Sequence, residues 1–372
     1  MRNNYLNAFK EKLAKEKVFT AAFILAAASS LAVRPKLSYI NFKVLVLLFN
    51  LMIVVAAFEK LRVMDKIAVE ILTRCKNTRM VSLVFIVVTF FSSMVVTNDV
   101  ALLTFVPLAI LTLKNARIDS MKTVVIQTIA ANIGSSLTPM GNPQNLFLFT
   151  HYKLSGVEFF SVTIPFVFLG FLWLLFLNRR TLRKRIKISV QKVHIEDKKR
   201  TCAYIALFLI ITASVFSLID YRYTFAAVLV CVLILDRRLI KEVDYFLLAT
   251  FVGFFIFIGN ISNIEFVQTQ LRLFLKIPYM PYISSILLSQ VISNVPCSIL
   301  VSGFTSNWRE VLLGVNVGGM GTIIASLASL ISYKIYANEN SDKSGEYMKK
   351  FYKYNIVSLI LFGVIIYIQI LY

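Results

Sequence analysis

From Met80 to Val96 the chain passes through its residues without one charge, and apolar blocks of roughly 14 to 20 residues recur along its length. That is the helix length that crosses a hydrocarbon core about 30 Å thick. At that depth every peptide group needs a partner inside the protein, so such blocks fold as helices or as strands of a closed barrel. The strict polar–apolar alternation of barrel strands is absent. With 58% hydrophobic residues and a mean hydropathy of +0.74 over 372 residues, no soluble domain of any size fits. We expect an all-α polytopic protein of the cell (inner, cytoplasmic) membrane, in contact with lipid.

The candidate spans, about nine, are 18–33, 40–58, 121–150 (interrupted), 157–178, 202–219, 222–235, 244–260, 308–336 (interrupted) and 351–371. Two further apolar blocks, 79–113 and 279–305, are broken by Asn-containing tips. Each is a pair of spans or a re-entrant hairpin that enters and leaves on one side. Cytoplasmic loops carry the excess of Lys and Arg. With the amino terminus cytoplasmic and both broken blocks taken as hairpins, the inner segments 1–17, 59–79, 114–122, 178–200, 236–243 and 334–353 hold 32 of the 40 basic residues. Two spans in place of a hairpin return the chain to the same side, so charge orients it without distinguishing the two. Leu61–Arg74 spaces apolar residues at helical intervals among charges and is expected to lie along the inner surface. Lys10 to Lys17 followed by Val18–Ala28 also has the form of a signal peptide, but the charge count works better if the segment stays as a span.

The basic residues lie in short stretches between apolar blocks and not on a folded domain or arm, so no nucleic-acid partner is expected. Cys75, Cys202, Cys231 and Cys297 are scattered, supporting neither a disulfide frame nor a zinc site. His151 and His194 are the only histidines. Neither has a partner at ligand or nucleophile spacing, and HExxH and GxSxG are missing. No enzyme and no cofactor are expected beyond a sodium ion or proton as coupling ion.

A second pattern is internal. TNDVALLTFVP (97–107) and SNVPCSILVSG (293–303) each place a hydroxyl residue, then Asn, before a short apolar run. ANIGSSLTPMGNPQNLF (131–147) and VNVGGMGTIIASLASLI (315–331) align without a gap, setting Asn132 on Asn316, Gly134 on Gly318, Thr138 on Thr322, Asn142 on Ser326 and Asn145 on Ser329. Four spans reach the basic linker 179–200, and a connecting span 201–219 delivers the rest to the opposite face. The expected organisation is two inverted-topology repeats: 1–178 (hairpin 79–113, broken helix 121–150) and 220–372 (hairpin 279–305, broken helix 308–336). A broken helix bares N–H groups at one half-helix start and C=O groups at the other end. The first attract anions; the second, with Asn, Ser and Thr oxygens, suit a hard cation such as sodium. Gly134, Gly141, Gly318, Gly319 and Gly321 are expected to permit unusual backbone angles, and Pro139 and Pro143 to keep the span from closing into one helix. Asn132 and Asn316 read as helix–helix hydrogen-bonding residues. Asp99 has two compatible readings, an N-cap or a coupling carboxylate at a wet tip.

At these residues the sequence resembles the ion-transporter superfamily that contains divalent-anion/sodium symporters, citrate transporters, arsenite permeases and sodium/proton antiporters. The resemblance covers nearly the whole chain and rests on Thr97-Asn98-Asp99, Ser293-Asn294-Val295-Pro296, TPMGNPQN (138–145) and NVGGMGT (316–322). It implies two re-entrant hairpins entering from opposite faces, tips that meet two unwound helices near mid-membrane, and a homodimer whose transport domains move against a scaffold. Dicarboxylate members carry Ser-Asn-Thr at each tip. Asn98 and Asn294 match the tip asparagines, Thr97 and Ser293 the preceding hydroxyls; Asp99 and Val295 depart from the pattern. By resemblance the substrate-binding candidates are Asn98, Asp99, Asn145, Asn294, Val295 and Thr322. The cation-binding candidates are Thr97, Asn98, Gly134, Ser293, Asn294 and Gly318, with sodium at the Asn98 and Asn294 tips. The expected activity is cation-coupled transport of a small inorganic or organic anion, citrate- or dicarboxylate-like or an oxyanion. A fixed charge at Asp99 repels such a substrate unless a cation or proton neutralises it. A sodium/proton antiporter or arsenite-type permease remains open, and more remotely a channel lined by the two hairpins.

Overall fold

A computed structural model describes residues 17–371 apart from 74, 76, 182 and 185–196. Residues 1–16, which carry most of the expected cytoplasmic amino terminus, and most of the basic linker 179–200 lie outside the described residues. Among those described the chain is helical, with no β-strand. α1 (Lys17–Ala32), α2 (Phe42–Lys60) and the short α3 (Val63–Leu72) lead into the pair α4 (Thr78–Ser93) and α5 (Asn98–Asn115). A helix broken into α6 (Met121–Ser135) and α7 (Pro143–His151) follows, then the long α8 (Gly156–Arg179). After α9 (Lys198–Val215) the same order returns: α10 (Tyr221–Leu235), α11 (Tyr245–Ile261), the short α12 (Glu265–Lys276), the pair α13 (Met280–Ile292) and α14 (Asn294–Ser302), the broken α15 (Trp308–Gly318) and α16 (Leu327–Glu339), and the long α17 (Ser344–Leu371).

Capping sets several starts. Asn41 accepts from the Val44 N–H, Asn77 from that of Met80, and Ser155 with Glu158 forms a reciprocal capping box. α2, α8 and residues 341–371 are each long and apolar enough to cross a bilayer unbroken. α12, which lies between the apolar blocks 244–260 and 279–305, turns by 100° from α11.

The halves interlock. α1 packs on α11, and α10 on α2, so the first helix of each half lies on the second helix of the other. Within the halves α4 packs on α6 and α13 on α15. Polar bonds join α4 to α6, where Thr123 Oγ1 donates to Ser82 Oγ at 3.0 Å and Gln127 Nε2 to Thr89 Oγ1 at 3.0 Å. In lipid, where apolar contact alone drives little association, close backbone approach and such bonds hold helices together. The glycines serve this approach more than unusual angles, which corrects the sequence reading: of the five named, Gly321 takes a positive φ (+106°). A Cβ on Gly134 would sit 2.2 Å from the Phe90 carbonyl oxygen, and one on Gly318 2.9 Å from Ser289 Cβ. Gly134→Val should therefore destabilise the fold by roughly 1–3 kcal/mol, read as a lower melting temperature in detergent. Gly345→Ala, in α17 and with nothing within 4 Å of the added carbon, should instead stabilise it by up to about 1 kcal/mol.

Candidate functional site

Each helix pair turns on one hydroxyl residue. Thr97 has φ 67° and ψ 151°, and Ser293 φ 74° and ψ 154°. That region is essentially reserved for glycine and costs of order 1–3 kcal/mol for another residue. In both halves an Asn follows and starts a helix. The Asn98 N–H donates to the Gly141 carbonyl (3.1 Å), and the Asn294 N–H to that of Ala325 (3.0 Å). A second bond fastens each tip to its break: Thr138 Oγ1 donates to the Met94 carbonyl, and Thr322 Oγ1 to that of Gln290 (2.9 Å).

The breaks, residues 136–142 and 319–326, are also held across the halves. Asn316 donates to Asn145 Oδ1 (2.8 Å) and accepts from Ser136 Oγ (3.0 Å) and Asn142 Nδ2 (3.4 Å). Asn132 accepts from Asn98 Nδ2 (3.2 Å) and Ser326 Oγ (3.0 Å), and donates to the Gly319 carbonyl (3.2 Å) and Ser329 Oγ (3.5 Å). The helix–helix bonding read for both asparagines from sequence is thus present.

The two tips face one chamber of about 80 Å³, lined among others by Asn98, Asp99, Gln144, Asp244, Ser293, Asn294 and Val295. It adjoins a vestibule of about 720 Å³ through Asp99, Pro143 and Asp244, which line both. Thr97 and Asn142 line the vestibule, whose far rim carries Glu59, Lys60, Arg238 and Glu242. Lys60 there pairs with Asp236.

Asp99 Oδ1 is buried and meets no donor. Thr97 holds the N-cap position, and the Asp99 N–H is taken by Asn98 Oδ1 (3.0 Å). Among the described residues the Asp99 carboxylate caps nothing, so the capping half of its sequence reading is absent from this geometry. Asp244 caps α11 through the Leu247 N–H. Among the described residues no Lys, Arg or His lines the small chamber.

Of the residues singled out by sequence, Thr97, Asn98, Asp99, Ser293, Asn294 and Val295 come together around these cavities. Asn145 and Thr322 do not line them. Asn145 Nδ2 lies 3.3–3.4 Å from the Ser135, Ser136 and Thr138 carbonyls, so both ends of its amide serve the break. Gly134 and Gly318 lie where the broken helices meet α4 and α13. Sequence reasoning missed Asp244, which looks like any N-cap aspartate, and Gln290, whose Nε2 donates to the Gly318 carbonyl (2.8 Å).

A family model for citrate transporters matches residues 9–306. The chain belongs to the citrate transporter family. It is 34% identical over 300 residues, 80% of the chain and 81% of the relative, to an uncharacterized transporter of Methanocaldococcus jannaschii. Inner membrane protein YbiR of Escherichia coli is 28% identical over 299 residues, 80% of each chain. A Dictyostelium discoideum protein named arsB is 29% identical over 133 residues, 36% of this chain and 24% of its own. This citrate transporter family member is therefore an integral membrane transporter, with tip asparagines set into a shared cavity.

Strain at its tips is testable. An ordinary Thr→Gly change costs the fold backbone entropy. Here Thr97→Gly or Ser293→Gly releases the unfavourable φ and should raise the melting temperature, by the equivalent of about 1 kcal/mol. Chemical-denaturation or thermal-shift curves of the two variants against the parent check this.

Proposed function

We propose that this family member is a secondary active transporter that moves a small anion, carboxylate or oxyanion, across the cytoplasmic membrane, coupled to sodium or protons by alternating access. One observation carries the reading: both tip asparagines and the unpaired Asp99 carboxylate line a single chamber that continues into a vestibule. α4–α5 and α13–α14 act as re-entrant hairpins, the chain as two inverted repeats, and the protein as a homodimer. Support for the repeats comes from the recurrence of helix order, tip angles and tip-to-break hydrogen bonds. The vestibule rim falls in segments assigned to the cytoplasmic side by their basic residues, so the arrangement reads as inward-facing.

The chamber's chemistry constrains coupling. Asp99 and Asp244 face it and among the described residues no basic side chain does, so an anion entering alone is repelled. Asn98 and Asn294 supply amide groups for a carboxylate, and helix N-termini at α5 and α14 favour negative charge. A sodium ion or proton on Asp99 removes the remaining repulsion. The same bare carboxylate favours a second reading, sodium/proton antiport with the cation as cargo.

In reconstituted vesicles, labelled citrate or another small anion should accumulate under a sodium or proton gradient. Asn98→Ala and Asn294→Ala should each cut uptake at least tenfold (about 1.4 kcal/mol or more) with insertion intact. Asp99→Asn should change the sodium and pH dependence. A panel of carboxylates and oxyanions without uptake, with a sodium pulse releasing protons to an enclosed pH dye, would replace anion transport by antiport.

A further inference from the structure

Among the described residues the chamber is lined by no cationic side chain, so a second place on the protein that attracts anions has a use. α7 and α14 both start at the chamber, with Pro143 and Asn294, and pack on each other. Each has 9 residues, about 13 Å at 1.5 Å per residue. Both end at a depression of about 420 Å³ that shares no lining residue with the vestibule. Its lining includes His151 from the end of α7, Ser302, Thr305 and Ser306 from the end of α14 and beyond, and Arg272 and Lys276 from α12. Tyr152 donates to the Thr305 carbonyl (2.9 Å), joining the two helix ends beneath it.

Three features mark this depression as built for negative charge. Among the described residues no Asp or Glu lines it. Arg272 and Lys276 stand one turn apart on α12, and among the described residues neither forms an ion pair. On α12 Leu275 packs into the core while Phe266, Leu273 and Phe274 are exposed, as in a helix lying at a membrane interface, and the two cations line the cavity. The carbonyl ends of α7 and α14 oppose this charge by roughly half an electron each. Two full positive charges outweigh them, and the depression remains net positive with His151 neutral.

We propose that this depression docks a small oxyanion, carboxylate or phosphate, through Arg272 and Lys276 with the hydroxyl of Thr305 as a donor. It deepens the anion-transport reading, on which its purpose rests: an anion is concentrated here, one helix length from the chamber, before the seam between α7 and α14 opens. The binding itself does not depend on transport.

The test reads local charge and occupancy directly. In a Cys202→Ser, Cys231→Ser background, Ser306→Cys is reacted with a sulfonate-bearing and a trimethylammonium-bearing methanethiosulfonate in phosphatidylcholine nanodiscs. The anionic reagent should react faster relative to the cationic one, and Arg272→Gln with Lys276→Gln should reduce that preference roughly tenfold or more. Citrate or inorganic phosphate should slow the reaction only when both cations are present. In nanodiscs containing phosphatidylglycerol, loss of that protection would assign the oxyanion to a lipid headgroup; retained protection assigns it to the soluble anion. Equal rates for the two reagents, unaffected by either substitution or by citrate and phosphate, overturn the proposal. In vesicles that transport, Arg272→Gln should raise KM for external anion with kcat kept. If no anion is transported, the thiol rates still report the site, so the two failures are distinguishable.

Discussion

A peptide group at membrane depth cannot be left unpaired, and each half of this chain opens a helix there. The remedy is the same in both halves. A tip asparagine gives its N–H to one break carbonyl, and a break threonine gives its hydroxyl to the arm of the tip. Asn132 and Asn316 then reach into the opposite break. Tip and break consequently form one unit, and the two units are tied to each other. What lines the chamber is held before any ligand arrives, and the buried side-chain atom left unpaired there is a carboxylate oxygen of Asp99.

The strained tips sharpen this. Glycine would take the backbone angles of Thr97 and Ser293 without cost, yet both positions hold a hydroxyl residue that borders the vestibule or the chamber. Each accepts an unfavourable φ to keep an oxygen next to an asparagine. Strain retained twice, at matching places, argues that those oxygens are used at the cavity, since neither is needed to cap the helix that follows.

Much of this was legible in the sequence because the same bonds demand the same residue types. The gapless match of Asn132 with Asn316 and Thr138 with Thr322 reflects four side chains making paired contacts. Helix positions followed from apolar block length and the breaks from Gly, Pro and Asn. Asn145 and Thr322 were harder to assign, because a polar side chain in an apolar segment looks alike whether it serves a ligand or the backbone. Gln290 acts through contacts with residues about 30 positions away, and Asp244 through a fold that brings the start of α11 to the first tip. The close-approach role of Gly134 likewise depends on which helix packs over it. No local pattern encodes these.

Charge is distributed along the line joining the cavities in a way that packing alone does not require. Among the described residues the chamber carries two aspartates and no cation, the depression beyond α7 and α14 carries Arg272 and Lys276 and no acid, and the vestibule lining mixes both signs. On charge alone the centre favours a cation and the depression an anion. Neither is favoured at the other's position, because a lone anion at the chamber meets Asp99 and Asp244, and a cation at the depression meets two like charges. Under the transport reading proposed above, this separation would make neutralisation of the centre the step that lets an anion move inward.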